Sequence, residues 1–140
     1  MSIYVVDASV AVKWFFEEAH SENALRLLND PHQLHAPDFL WMELASVACQ
    51  RVRRKEISSG KGLQILLALR HYPIRIFPSA DLLDAATAIA LETATSPYDC
   101  VYIALAVSLD AQTVTADRRF YQALAKGRFA NRGLWIGDLP

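Results

Sequence analysis

The chain has 140 residues, of which 53% are hydrophobic, and a formal net charge of −1. This length fits one domain, residues 1–140, that can bury a core of its own. No apolar run is long enough to span a membrane and no signal-peptide pattern opens the chain, so we expect a cytoplasmic protein without a membrane partner. The near-neutral charge excludes a protein that coats nucleic acid by bulk charge.

The first half of the chain alternates short apolar strands with helical patterns. The opening IYVVDAS predicts a buried strand that ends near Asp7. Helical patterns follow at VAVKWFFEE and SENALRLLND, and LHAP predicts a weak second strand. DFLWMELASVACQRVRRKE predicts a helix with one apolar face, and SGKGLQILLALRHY continues in helix after a short break.

The second half continues the alternation. IRIFP predicts a third strand, and Ser79 is expected to cap the helix ADLLDAATAIALETA. Ser96 and Pro97 are typical of a helix start, and a long apolar helix follows them. QTVTAD predicts a fourth strand, a short helix spans about 118–126, and GLWIGDL predicts a fifth strand. Together these elements predict an α/β fold, with about five parallel strands flanked by helices on both faces.

Several common site types are missing from the sequence. Cys49 and Cys100 have neither the number nor the spacing of a disulfide framework or a zinc site, and both are predicted to be buried thiols. The four histidines are scattered. No GxGxxG or GxxxxGK[ST] pattern follows a strand, which argues against dinucleotide and P-loop binding.

Four acidic residues are predicted to converge at one edge of the sheet. Asp7 ends the first strand and Asp117 ends the fourth, and ligands of open α/β sheets bind beyond such strand ends. Glu43 borders the inward face of its helix, and Asp99 stacks over apolar residues in the first turn of another. The alternatives are that Asp7, Asp99 and Asp117 only cap helices and that Glu43 lies at an amphipathic edge.

Such a cluster has a charge problem that a cation solves. Two unit charges about 4 Å apart repel by about 4 kcal/mol at an effective dielectric of 20, so packed carboxylates share protons or bind cations. Oxygen-only ligands favour Mg²⁺ or Mn²⁺, and such ions activate water for phosphodiester hydrolysis. Residues 118–140 hold five basic residues against one acid, and those just beyond Asp117 could hold a phosphate backbone, with solvated surface charges as the alternative.

Three segments, IYVVDASV, APDFLWMELASV and SPYDCVYIALAVSLDAQTVTADRRF, together resemble a PIN domain. The short length resembles the VapC-type ribonuclease toxins of prokaryotic toxin–antitoxin pairs. The resemblance implies a five-stranded parallel sheet, Mg²⁺ or Mn²⁺ dependence, RNA as substrate, homodimerisation and inhibition by an antitoxin. It places catalytic and metal-binding roles on four acids and supporting polar roles on two hydroxyl residues: Asp7, Glu43, Asp99 and Asp117, with Ser9 and Thr115.

We therefore expect a metal-dependent endoribonuclease toxin with Asp7 and Asp99 as the principal metal ligands. In this scheme Arg118 and Arg119 are candidates for RNA contact. One alternative is a non-catalytic protein-binding module on the same scaffold, against which the intact quartet of acids argues. Another is a phosphatase or phosphoreceiver built on a strand-end aspartate. The first strand gives D-A-S rather than D-x-D, which argues against this second alternative.

Overall fold

A single sheet of five parallel strands organises the protein, for which the computed structural model describes residues 2–140. The strands are β1 (Ile3–Val6), β2 (Gln33–Pro37), β3 (Ile74–Phe77), β4 (Gln112–Thr115) and β5 (Gly133–Trp135). Their order is β3-β2-β1-β4-β5, and every neighbouring pair is parallel. The predicted five-stranded parallel sheet is confirmed.

Seven α-helices flank the sheet in residues 2–140. They are α1 (Ala8–Ala11), α2 (Ser21–Asn29), α3 (Phe39–Arg53), α4 (Ser59–Leu69), α5 (Leu83–Thr93), α6 (Pro97–Leu109) and α7 (Arg118–Ala125). Because crossovers between parallel strands are right-handed, α1 to α4 cover one face and α5 to α7 cover the other. None of these helices combines the length and apolarity needed to cross a bilayer.

Helix α6 is the central helix of the fold. It is buried along Cys100–Ala106, and it lies against β1, β2 and β4 with α5 packed beside it. A helix that is apolar on nearly all sides is stable only when protein surrounds it. Since only two residues separate α6 from β4, its first turn, which contains Asp99, lies at the carboxyl edge of the sheet.

The strand order reverses between β1 and β4. The chain runs from β1 to β2 and β3 on one side of β1, and then crosses to β4 on its other side. The register pairs Val6 with Val114, so the two strands end beside each other. Asp7 follows β1 directly and Asp117 lies two residues after β4. Ligands of open α/β sheets bind in the crevice at such a reversal, which is where both aspartates lie.

The prediction that Ser79 caps the following helix is wrong. A 3-10 turn over Ser79–Leu82 precedes α5, and no side chain caps that helix. The Ser79 hydroxyl instead accepts a hydrogen bond from the Phe39 backbone N–H at 3.1 Å, and the Ser79 N–H donates to Asp38 Oδ1 at 3.0 Å. Ser79 therefore stabilises the start of α3, forty residues earlier in the chain.

Three smaller predictions also differ from the structure. The first helix begins at Ala8 rather than Val10, because Asp7 caps it there, and it tightens into a 3-10 turn over Val12–Trp14. The last strand ends at Trp135, where a further 3-10 turn begins. Cys100 is buried as predicted, whereas Cys49 is exposed on α3.

Replacing Ser79 by alanine removes the acceptor for the Phe39 N–H. We expect the free energy of unfolding to fall by about 1 kcal/mol, the usual value of an N-terminal helix cap, in a urea titration. The control is Ser59→Ala, which removes an exposed hydroxyl at the first residue of α4 and should change stability by less than about 0.5 kcal/mol. Equal stability of Ser79→Ala and the unsubstituted chain contradicts the assignment.

Candidate active site

The structure brings the four predicted acids to the carboxyl edge of the sheet. Asp7 follows β1, and Asp117 follows β4 beside it. Glu43 lies in the second turn of α3, which begins just after β2, and Asp99 lies in the first turn of α6. The four carboxylates come from four separate elements, so only the complete fold can assemble them.

Asp7 is the most buried of the four, with 6% of its surface exposed. Its Oδ1 accepts hydrogen bonds from the Ser9 hydroxyl at 2.5 Å and from the Val10 backbone N–H at 3.3 Å, which caps α1. Burial, with a smaller contribution from the charge of Asp117, raises the pKa of Asp7 to about 6 against the opposing effect of its hydrogen bonds. Asp7 therefore does cap α1, but the cap does not remove the cost of burying its charge.

Ser9 and Thr115 hold the ends of β1 and β4 together. The Ser9 hydroxyl, besides donating to Asp7, accepts from the Ala116 backbone N–H at 2.8 Å and lies 3.4 Å from Thr115 Oγ1. Thr115 Oγ1 accepts in turn from the Asp117 backbone N–H at 3.1 Å. The two hydroxyls therefore fix the positions of both aspartates, which fits the supporting role predicted for them.

Glu43 is held by a residue that our sequence reasoning did not assign to the site. The Tyr102 hydroxyl donates to Glu43 Oε1 at 2.5 Å, and the Tyr102 ring is 1% exposed in α6. Burial raises the pKa of Glu43 to about 7, with smaller contributions from the other three acids, whereas the Tyr102 hydrogen bond lowers it. The pattern Y-D-x-x-Y contained this tyrosine, but the contact joins residues 59 apart in sequence.

Asp99 and Asp117 differ in what they do for their helices. Ser96 caps α6 by accepting from the Tyr98 N–H at 3.0 Å, and the Asp99 carboxylate accepts no hydrogen bond within residues 2–140. The capping alternative for Asp99 is therefore wrong. Asp117 does cap α7, by accepting from the Phe120 N–H at 3.1 Å. Burial raises the pKa of Asp99, and the charge of Asp117 adds to the effect.

The four carboxylates form one electrostatic unit. Glu43 interacts with the charges of Asp7, Asp99 and Asp117, and Asp117 also raises the pKa of Asp7 and of Asp99. The fold thus holds like charges together in a partly buried crevice, where nearby negative charge makes Asp7, Glu43 and Asp99 harder to ionise. A bound cation would reverse this effect, because it favours the ionised form of every acid around it.

The donor set fits a hydrated divalent cation. Carboxylate and hydroxyl oxygens are the ligands that Mg²⁺ and Mn²⁺ prefer. Across residues 2–140, no group of three or more histidine, cysteine, aspartate or glutamate side chains forms a cluster that could hold a metal ion. Mg²⁺ does not require three such side chains, because it usually binds through one or two carboxylates and keeps several water ligands.

The two predicted RNA-contact residues begin α7 but face different surroundings. The Arg118 guanidinium lies over the Trp135 ring, 4.3 Å from its centroid. Arg119 lines a cavity that Asp99 and Asp117 also line. The structure therefore associates Arg119, rather than Arg118, with the acidic crevice.

Comparison with known proteins identifies similar chains. The family model for the PIN domain matches residues 4–125. Ribonuclease VapC3 of Pyrobaculum aerophilum is 29% identical over 117 residues, which covers 82% of this chain and 89% of that protein. Ribonuclease VapC9 of Mycobacterium tuberculosis is 30% identical over 115 residues, which covers 82% of this chain and 86% of that protein.

Similarity also extends to solved structures. A chain of a toxin–antitoxin complex from Klebsiella pneumoniae matches this structure with a TM-score of 0.68 at 14% identity. The match covers 99% of this chain and 100% of that chain, so the two share the fold over their whole lengths.

The raised pKa values predict how stability depends on pH. Asp7 and Glu43 hold protons more tightly in the folded chain than in the unfolded one, so their ionisation disfavours folding. The stability that the protonated carboxyl groups of Asp7 and Glu43 contribute is fully present below about pH 4 and is lost as the pH rises through 6 to 7. Raising the pKa of Asp7 from 3.8 to about 6 corresponds to a loss on the order of 3 kcal/mol.

Urea titrations in EDTA at pH 5 and pH 7.5 measure this effect. Asp7→Asn keeps an oxygen acceptor for Ser9 and Val10 but carries no charge, so its stability should fall less than that of the unsubstituted chain between the two pH values. Added Mg²⁺ should stabilise the unsubstituted chain at pH 7.5 more than it stabilises Asp7→Asn. The same pH dependence in both proteins contradicts the electrostatic account.

Tyr102→Phe removes the hydrogen bond that favours the ionised form of Glu43. The pKa of Glu43 should rise further, so binding of Mn²⁺ at pH 7 should weaken about tenfold and recover partly at pH 8.5. Calorimetric titration measures both affinities. Tyr98→Phe is the matched control, because Tyr98 lies on the same helix with 65% of its surface exposed. Unchanged affinity in Tyr102→Phe, or an equal loss in the control, contradicts the positioning role.

Proposed function

Since the chain belongs to the PIN domain family, with VapC ribonucleases among its relatives, we propose that it is an endoribonuclease toxin that hydrolyses RNA phosphodiester bonds. The observation that carries the proposal is the convergence of four carboxylates at the strand-order reversal, where two of them have pKa values of about 6 and about 7. Asp7 and Asp117 cap helices, but these caps do not require Glu43 and Asp99 nearby, so the grouping of all four acids is best explained by the reaction they serve.

The proposal includes dependence on Mg²⁺ or Mn²⁺. When bound, such an ion supplies the positive charge that phosphodiester hydrolysis requires and lowers the pKa of water for attack. Asp7 and Asp99 are the principal ligands in this proposal, and Glu43 and Asp117 complete the site. The all-oxygen donor set and the unfavourable repulsion among the acids support this choice of metal.

The remaining residues of the crevice position these acids. Ser9 and Thr115 fix the aspartates at the two strand ends, and Tyr102 fixes Glu43 against α6. Rigid helices and strands hold the side chains more accurately than loops do, which limits the reorganisation needed when substrate binds. Asp99 gains its rigidity from a buried helix that Ser96 caps, so its carboxylate remains free for the site.

Partners of two kinds belong to the proposal: a cognate antitoxin protein and a second copy of the chain. The solved neighbour from Klebsiella pneumoniae is part of a toxin–antitoxin complex, which supports an antitoxin for this chain. Apolar side chains that are at least half exposed supply surfaces for association, namely Met42, Leu63, Leu67, Leu83, Leu91 and Tyr98. An apolar groove between α3 and α4, lined by Ala48, Val52 and Leu66, adds to this surface.

Asp99→Asn tests the assignment directly. The Asp99 carboxylate caps nothing in residues 2–140 and is disfavoured by burial and by Asp117, so a neutral amide should leave stability unchanged or slightly higher at pH 7.5. Cleavage of RNA in Mg²⁺ or Mn²⁺ should fall by more than about a hundredfold, because even outer partners of a metal site contribute about 10- to 100-fold. The readouts are urea titration and gel analysis of total RNA from the antitoxin-free protein.

The matched control is Asp84→Asn, an exposed aspartate in the first turn of α5, which should cleave like the unsubstituted chain. Products should carry 5′-phosphate and 3′-hydroxyl ends, and EDTA should abolish the reaction. Folded protein that cleaves none of the RNA offered contradicts the nuclease assignment and favours the non-catalytic binding module. Cleavage that persists in EDTA contradicts the metal dependence.

A further inference from the structure

A groove runs between the connection from α5 to α6 and the helix α7. Its first part is a cavity of about 410 Å³, with Ala94, Thr95 and Ser96 on one wall and Arg119 and Ala123 on the other. Its second part, of about 260 Å³, lies between the end of α5 and the end of α7. Ala123 lines both cavities, so they adjoin each other and form one groove.

The groove connects directly with the acidic crevice. Asp99 and Asp117 line the first cavity, so a molecule that occupies it touches the carboxylates of the candidate active site. Ala94 turns the chain with a φ of 54°, and this turn brings α5 and α6 together at the wall of the groove. The wall is therefore built from two packed helices and their short connection.

Positive charge follows the α7 side of the groove. Arg119 lines the first cavity and Lys126 lines the second. The two residues are seven positions apart, which places them on the same side of a helix and about 10 Å apart along its axis. Glu92 also lines the second cavity, but its carboxylate is paired with Arg128 at 2.6 Å. The groove thus leads away from a cluster of acids past two cations that suit a phosphate backbone.

We propose that the groove binds the single-stranded RNA segment that adjoins the scissile phosphate. Arg119 contacts a phosphate next to the acidic crevice, and Lys126 contacts one farther along the strand. This inference rests on the proposed nuclease function and adds a path for the substrate. Arg118 has a different role, because its guanidinium packs on Trp135 beside β5.

The size of the groove favours one strand over a duplex. A volume of about 410 Å³ lies in the range of small-molecule pockets, about 300 to 1,000 Å³, and so suits a unit of about nucleotide size rather than a duplex. An RNA duplex presents its phosphates across wide grooves and is recognised over a much larger surface. A single strand can instead lie along the groove with successive nucleotides in its two cavities.

Binding of a short fluorescent single-stranded RNA, measured by anisotropy in EDTA so that no cleavage occurs, tests the groove. Arg119→Ala should weaken binding about tenfold, the effect of losing a hydrogen bond to a charged group, and Lys126→Ala should weaken it severalfold. The slope of log affinity against log salt should fall by about 0.7 for each contact removed. In Mg²⁺, Arg119→Ala should raise the KM for RNA cleavage.

Arg70→Ala is the charge-matched control, because Arg70 is exposed at the end of α4, at the opposite edge of the sheet. Its affinity should stay within about twofold of that of the unsubstituted chain. Normal binding by Arg119→Ala and Lys126→Ala, or an equal loss in Arg70→Ala, overturns the proposal. A binding loss in Arg118→Ala as large as that in Arg119→Ala also overturns it.

The outcomes separate the groove from the nuclease function. If the unsubstituted chain cleaves RNA and the groove variants bind and cleave as it does, the groove proposal is wrong and the nuclease assignment stands. If RNA binding depends on Arg119 and Lys126 but no RNA is cleaved, the groove is supported and the nuclease assignment is wrong. Circular dichroism of each variant establishes that it is folded.

Discussion

The burial of like-charged carboxylates in one crevice is the constraint on which the rest of the site depends. Burial contributes most to the cost of ionising Glu43, and the charges of the three aspartates add to it. In water these groups would separate, so their proximity has to be imposed by the strands and helices that carry them. A proton or a bound cation in the crevice would reduce this cost.

The fold imposes this proximity with a small number of contacts. The reversal of strand order places the ends of β1 and β4 side by side, and the Ser9 hydroxyl bonds both Asp7 and the backbone of Ala116. Asp7 and Asp117 each also cap the helix that follows them, so the same carboxylates start α1 and α7. Structural and chemical roles are therefore combined in these two residues and separated at Asp99, whose helix is capped by Ser96.

The sequence predicted those parts of the structure that depend on local pattern. Strand positions followed from β-branched runs and the parallel sheet from the alternation of strands and helices, so the acids at strand ends were predictable. Contacts between distant segments were not. Ser79 caps α3 rather than α5, and Tyr102 binds Glu43 from another helix, because both contacts arise only when elements pack. The distinction between Arg118 and Arg119 needed the position of Trp135 for the same reason.

The most direct test of the central claim is the number of protons released when Mn²⁺ binds, measured calorimetrically in buffers of different ionisation enthalpy. Metal binding requires ionised carboxylates, and the pKa values of Asp7 and Glu43 are about 6 and about 7. We therefore expect release of about one to two protons per ion at pH 6 and almost none at pH 8.5, with binding lost in Asp99→Asn. Binding without proton release at pH 6, or binding that Asp99→Asn leaves unchanged, would contradict the account.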